Sequence, residues 1–364
     1  MSTKPLTQDD VVGSVLAFIA RHGCSDGEFD ALALRLFAYQ YANDEPYRRF
    51  CQRRGATPRS VKHWSDIPAV PIDAFKELAL RSQPPSPAER VFMTSGTTRS
   101  DVKGRHFHPT LAVYDRSMAR NFARRFMQGS ERMDMAILFP TEMAMPNSSL
   151  AHYLALAATE FGTPTSRYYV GPDGLDVAAL CEAMADAERS GTPLAILGAS
   201  FSVVHLLDAL RDQGRSFHLP AGSRVLDTGG YKGQSRELPL EAFYDELSAA
   251  LGIPRASCIN MYGMTELSTQ FYDRGNAQVP SVKSGPHWIR SRIVDPLSGR
   301  ELPPGERGIL AHCDLANFNS VTTILTEDVG VAVDGGFLLH GRAEGAQARG
   351  CSLAVEEFIK AATA

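Results

Sequence analysis

The chain has no C-x-x-C pair: its six cysteines fall at positions 24, 51, 181, 258, 313 and 351 of 364. That scatter argues against a zinc site built from local pairs and against a dense disulfide framework, and makes reduced thiols in a cytoplasmic compartment the expectation. Long apolar runs are missing too. Stretches such as Met135 to Phe139 and Tyr153 to Ala158 fall far short of the ~20 residues a bilayer crossing needs, so no membrane span is expected. The start, Met1-Ser-Thr-Lys-Pro5, meets Asp9 and Asp10 before any apolar segment and does not read as a signal peptide. Nor is there an excess of charge. Thirty-seven basic against 41 acidic side chains leave a net charge of −4, too small to suggest a nucleic acid or an anionic membrane as partner. No internal repeat or low-complexity tract divides the chain.

What is present is ordinary globular material, 44% hydrophobic and 21% charged, long enough for two domains or one large α/β body with an appendage. Phe29, Leu32, Ala33, Leu36, Phe37 and Gln40 recur at helical spacing behind Ser25 or Asp26, which predicts an amphipathic helix over 26–42. Prolines at 68, 71, 84, 85 and 87 then suggest an irregular connection. From residue 90, strand-like runs (90–93, 135–140, 166–170, 194–198, 224–227, 258–261) alternate with helix-length segments (150–161, 174–189, 202–213, 240–251), the pattern of an α/β body on a mostly parallel sheet. Beyond about 285, short runs at 290–294, 308–312, 321–325, 329–333 and 337–339, punctuated by Gly- and Pro-rich turns, predict a small antiparallel subdomain. The expected organisation is a helical N-terminal region over 1–89, an α/β core over 90–284, a small β subdomain over 285–340 and a hinge-like tail over 341–364.

Three runs carry chemistry. Thr94-Ser-Gly-Thr-Thr-Arg-Ser-Asp-Val-Lys-Gly104 follows a strand and offers hydroxyls, glycines and a lysine, the donors an oligophosphate requires. It is not a Walker A loop, and its composition suits a Ser/Thr-rich surface turn as well. Asn260-Met-Tyr-Gly-Met-Thr-Glu266 closes another strand, where open α/β sheets bind ligands; Glu266 there suits Mg²⁺ and Thr265 a phosphate, though a capped strand-to-loop turn reads equally well. Thr326-Glu-Asp328 and Phe337-Leu-Leu-His-Gly-Arg342 place Asp328 and Arg342 14 positions apart across a β-turn-β, where they could hold a ribose from two sides; singly, each suits a solvated turn.

In this order the runs resemble the adenylate-forming superfamily of acyl-CoA synthetases, firefly-type luciferases and peptide-synthetase adenylation domains, over residues 90–345. Thr94 to Gly104 is similar to its phosphate loop, with Arg99 where glycine is usual; Tyr262-Gly-Met-Thr-Glu266 matches Y-G-x-T-E, Thr326-Glu-Asp328 its T-G-D, and Gly341-Arg342 its G-R. Further runs, Asn43 to Cys51, Asp66 to Lys76, Pro146 to Leu150, Asp227 to Gly233 and Arg349 to Leu353, extend the likeness over nearly the whole chain to the acyl-protein synthetases of bacterial fatty-acid reductase systems.

The resemblance implies a layered α/β body with a small β subdomain and a helical N-terminus, and an ATP- and Mg²⁺-dependent activation of a fatty acid to acyl-AMP. Thr94, Ser95, Gly96, Thr97, Thr98 and Lys103 would grip phosphates, Thr265 the α-phosphate and Glu266 the metal. Gly229, Gly230 and Tyr231, with Tyr262 and Gly263, would border the nucleotide, and Asp328 with Arg342 the ribose. Position alone favours a buried packing residue at Cys351, but it stands where the family's acyl-accepting cysteine lies, and Arg349 with Gly350 suggest a mobile, electropositive setting. The acyl group would pass on to a reductase or carrier protein. His106 and His108 are weaker functional candidates, and His152 and His205 read as packing residues. There are departures. The hinge Gly341 to Gly350 is one residue shorter than G-R-x-x-D-x-x-K-x-R-G, and with the end at Ala364 the usual ~100-residue lid and its lysine are expected to be absent. Two other readings stay open: a small CoA ligase similar to phenylacetate-CoA ligase, and a nucleotide-binding subunit without turnover.

Overall fold

The computed structural model describes residues 6–86, 90–94, 102–231, 233–296 and 298–363. They form two compact units: residues 1–118, 264–269 and 285–364 make the first, 119–263 and 270–284 the second.

The second unit is a six-stranded sheet in the order Phe271–Tyr272, Cys258–Tyr262, Arg224–Thr228, Leu194–Ala199, Asp134–Leu138, Arg167–Tyr168. All pairings are parallel except that of Phe271–Tyr272. Leu194–Ala199 is buried at every position, as a central parallel strand covered on both faces must be. Helices Val177–Ser190, Ser200–Asp212 and Leu240–Leu251 supply Met184, Val203, Leu207 and Leu247 to its core. Two starts are locally encoded: Ser148 accepts from Ala151 N–H ahead of Ser149–Phe161, and Asp176 from Ala179 N–H ahead of Val177–Ser190. Gly252 ends Leu240–Leu251 at φ +66°, and a Cβ there would lie 2.8 Å from His218 Cα.

The first unit is built on a five-stranded sheet, ordered Val70–Pro71, Thr323–Val333, Arg307–Asp314, Ile289–Val294, with Gly336–Arg342 also paired to Thr323–Val333. The runs at 321–325 and 329–333 belong to one 11-residue strand, because a bulge between Asp328 and Gly330 interrupts the alternation that marks a strand in sequence. The proline-punctuated connection holds a parallel edge strand, Val70–Pro71, and a single helical turn, Ala74–Glu77. Helix Asp26–Asn43 opens with a capping box between Ser25 and Glu28. Its buried Gln40 reaches across the unit, Nε2 donating to Asn317 O at 2.7 Å and Oε1 accepting Thr322 N–H at 3.1 Å. The last residues form a helix, Gly345–Thr363, tied to helix Glu45–Arg53 by the Phe50–Phe358 contact and a bidentate Arg54–Glu357 pair. No helix among the described residues is long and apolar enough to cross a membrane.

Candidate active site

Strands Arg90–Met93 and Arg105–His108 pair antiparallel, and where their ladder stops the backbone clasps itself. Thr94 N–H donates to Gly104 O at 3.0 Å, and Gly104 N–H donates to Thr94 Oγ1 at 2.9 Å. Glycine at 104 leaves room that a side chain would take. A Cβ there would lie 3.0 Å from Glu266 Oε1 and 3.1 Å from Thr94 Cγ2, closer than side chains sit without displacing one of them. The base of the Ser/Thr-rich loop is thus clasped shut against the Glu266 carboxylate. Ser95, Gly96, Thr97 and Thr98 lie outside the described residues, and Lys103 is exposed.

Tyr262 and Gly263 end a strand of the second unit, whereas Met264 to Thr269 belong to the first, where the segment is held from several sides. Ser268 N–H donates to Asp314 and Asn317, Thr269 Oγ1 donates to Asp314 Oδ1 at 2.7 Å, and Asn317 Nδ2 donates to Glu266 O at 2.8 Å. His106 completes the brace. Its Nδ1 lies 3.0 Å from Thr265 O, so that nitrogen carries the proton, and Nε2 lies 3.0 Å from Ser320 Oγ, which donates to it. Burial pushes His106 down to about 4, so it is a neutral positioning residue rather than a proton carrier at neutral pH. His152, buried, lies 2.8 Å from Glu142, and the exposed His205 lies 2.7 Å from Gln234 O.

Glu266 is only 3% exposed. Burial raises its carboxyl to about 7; its own backbone N–H, Lys76 and Arg342 pull the other way, and Asp73 adds to the rise. Asp73 and Lys76, an ion pair of 2.7 Å on the single turn Ala74–Glu77, were not singled out as site residues in the sequence. A four-residue helix has no periodicity to betray it, and only the run from Asp66 to Lys76 hinted at them. Asp328 and Arg342 are direct cross-strand partners, with Arg342 Nε 3.8 Å from Asp328 Oδ1 and Nη1 3.6 Å from Glu327 Oε2. The turn between their strands therefore brings together two groups 14 residues apart, leaving the guanidinium largely exposed.

In the second unit, Gly229, Gly230 and Tyr231 follow the carboxyl end of Arg224–Thr228. Gly229 turns at φ +73°, Ser200 Oγ donates to the carbonyl region of Thr228 and Gly229, and Tyr231 OH donates to Leu238 O at 2.9 Å. Beneath them Asp227 accepts from Ser200, Tyr244 and Asn260, and Asn260 in turn accepts from Lys283.

Cys351 corrects an expectation. The setting is not electropositive, and the residue is buried: it is on helix Gly345–Thr363 and 4% exposed, with Sγ 3.9 Å from Thr326 O. Burial first, then the charges of Glu327, Asp73 and Asp328, raise the thiol to about 11. The acidic neighbours come from strand Thr323–Val333 and residue 73, far away in sequence, while Arg349 is not among the charges that set it. The other cysteines are also free thiols.

Among the described residues no group of three His, Cys, Asp or Glu side chains could hold a metal ion. Mg²⁺ does not need one, since it is commonly bound by one or two carboxylates together with substrate phosphates and water. A single buried carboxylate, set against the base of the loop with Lys76 and Arg342 acting on it, is compatible with that requirement.

A family model described as acyl-protein synthetase, LuxE, matches residues 9–360. A long-chain-fatty-acid–luciferin-component ligase of Vibrio harveyi is 25% identical over 300 residues, 81% of this chain and 76% of that one. Its namesake of Aliivibrio fischeri is 21% identical over 306 residues, 83% of this chain and 78% of that one. Among solved structures, an open form of 2-hydroxyisobutyryl-CoA ligase in complex with 2-HIB-AMP and CoA superposes with a TM-score of 0.63 at 15% identity, covering 87% of this chain and 74% of that one. ATP-bound MatB from Rhodopseudomonas palustris gives 0.51 at 17% identity, covering 69% of this chain; the chain spans about half of MatB, 47%. At these identities the structural likeness speaks for the fold.

Proposed function

Because the chain belongs to the acyl-protein synthetase, LuxE, family, we propose that it activates a fatty acid with ATP and passes the acyl group to a protein thiol, its own Cys351. In the first step a carboxylate oxygen attacks the α-phosphorus, the bond to the β-phosphate oxygen breaks, and pyrophosphate leaves. Two anions must approach, so positioned donors and cations carry the catalysis. Thr94 with the loop behind it, and Lys103, hold the phosphates; Thr265 addresses the α-phosphate. Mg²⁺, when bound by Glu266 and phosphate oxygens, supplies the charge that offsets their repulsion. Asp328 and Arg342 take the ribose, and Gly229, Gly230, Tyr231, Tyr262 and Gly263 border the nucleotide.

In the second step Cys351 Sγ attacks the acyl carbon, the carbon–oxygen bond to phosphate breaks, and AMP leaves with the electron pair. The thiol proton passes to a carboxylate. Glu327 suits this role, since it is the leading charge acting on Cys351 and burial lifts its own carboxyl above the ordinary range. A reductase or another acceptor protein in the cytoplasm then takes the acyl group. The observation that carries this reading is one strand: Thr323–Val333 bears Asp328 of the nucleotide site and the Thr326 carbonyl against which Cys351 rests. The test is Cys351→Ser. The variant keeps acid-dependent pyrophosphate exchange and loses the hydroxylamine-labile thioester; a thioester that persists in it refutes the assignment.

A further inference from the structure

We infer that the groove beside Cys351 holds the acyl chain of the Cys351 thioester, an inference that rests on the acceptor role proposed above. The groove has a volume of about 580 Å³, within the ~300–1,000 Å³ of typical small-molecule sites. One wall is the C-terminal helix. Gly350, Leu353, Ala354 and Glu357 line it at i, i+3, i+4 and i+7, so a single helical face looks onto the groove. Cys351 is one residue around from that face, in a buried apolar cluster of which Val294, Ala311, Leu325 and Ala354 line the groove and Ile309 and Val329 do not. The nucleophile and the groove therefore share walls from three adjacent strands and the helix.

The lining is mixed: Ile67, Val294, Leu325 and Leu353 offer apolar surface to a hydrocarbon chain, while Asp66, Arg292 and the Arg54–Glu357 pair are its charged part. Gly350, Ala311 and Ala354 on the wall beside residue 351 are small, and Cys351, itself 4% exposed and not a lining residue, has to turn past them to reach the groove. Leu353, two residues from the thiol, is 55% exposed at the groove wall, an apolar surface that an acyl chain would cover. The Arg54–Glu357 pair, which also lines the groove, is a polar boundary that a hydrocarbon chain would not cross without desolvating charge. A docked chain would also shield the thioester carbonyl from water until the acceptor protein arrives.

The test compares thioesters formed from butanoate, octanoate and tetradecanoate on the full-length protein, each challenged with hydroxylamine and followed by intact-mass spectrometry. In the wild type the tetradecanoyl thioester should outlast the butanoyl thioester by about tenfold or more, because each added methylene gains by leaving water. Leu353→Glu, at an exposed position, and Ser65→Trp, at another lining residue, should abolish most of that ratio while pyrophosphate exchange and the butanoyl lifetime stay as in wild type. Lifetimes independent of chain length, or unchanged ratios in both variants, would overturn the groove assignment alone. Absence of any thioester on Cys351 with exchange intact would overturn the acceptor reading and the groove with it.

Discussion

Two buried carboxylates, one in each unit, have had opposite things done to them. Asp227 is 2% exposed and Glu266 3%, and burial raises both above the ordinary range. Asp227 accepts from Ser200 Oγ at 2.9 Å, Tyr244 OH at 3.0 Å and Asn260 Nδ2 at 2.7 Å, with the Lys283–Asp273 ion pair of 2.7 Å behind them. Every member of that cluster has its partner within the second unit. Glu266 instead faces the bare Cα of Gly104, and what favours its charged form is its own backbone N–H and the fields of Lys76 and Arg342. A satisfied buried network fixes structure, whereas the proposal that Glu266 meets a metal rests on its place against the base of the loop. The same residue class at the same depth is therefore held by a hydrogen-bonded network in one unit and set against the base of the Ser/Thr-rich loop in the other.

The contrast is open to attack from both sides. Lys283→Met should have the largest effect, about 3–5 kcal/mol of stability lost in denaturant titration, because Asp273 and Asn260 keep their places around a missing cation. Glu266→Gln should do the reverse: pyrophosphate exchange falls about 100-fold, while stability at pH 8 rises by roughly 1–3 kcal/mol. The sign follows from the raised carboxyl. The folded protein holds the proton more tightly than the unfolded chain, so stability is greatest below the ordinary carboxylate range and is lost as pH rises toward about 7 and ionisation is forced on the buried group. A Gln variant that is destabilised would place Glu266 with Asp227 as a structural carboxylate. Gly104→Ala should lower exchange about tenfold with little change in unfolding, since the added methyl displaces the Glu266 carboxylate or the Thr94 side chain. The smallest expected effect is a profile. Alkylation of Cys351 by iodoacetamide should rise about tenfold per pH unit from 7 to 10, without levelling off near 8.5, because the thiol titrates at about 11.

Much of the regular secondary structure in both units was legible in the sequence because its signals are local. The helix expected over 26–42 in the first unit is Asp26–Asn43, and the strand at 194–198 is Leu194–Ala199, each marked by its own spacing or cap. Among the candidate residues, Asp328 and Arg342 were readable as a pair because a hairpin of that length sets their register. Other features depend on residues remote in sequence. The acidic enclosure of Cys351 is assembled from residue 73 and strand Thr323–Val333, so nothing adjacent to the cysteine announces it, and the neighbouring Arg349 points the wrong way. The turn bearing Asp73 and Lys76 is too short for any period, and the bulge at Asp328 split one strand into two apparent ones.

The burial of Cys351 also sets a condition on the proposed chemistry. At about 11, on the order of one thiol in ten thousand is ionised at pH 7, so transfer requires the acidic enclosure to open or Glu327 to accept the proton as the bond forms. The most direct measurement is mass spectrometry of the intact protein after incubation with ATP, Mg²⁺ and a fatty acid, followed by peptide mapping. The account predicts one adduct with the mass of the acid less water, removable by hydroxylamine and located on the peptide that contains Cys351. Accumulation of acyl-AMP with no adduct, or an adduct on another residue, would contradict it.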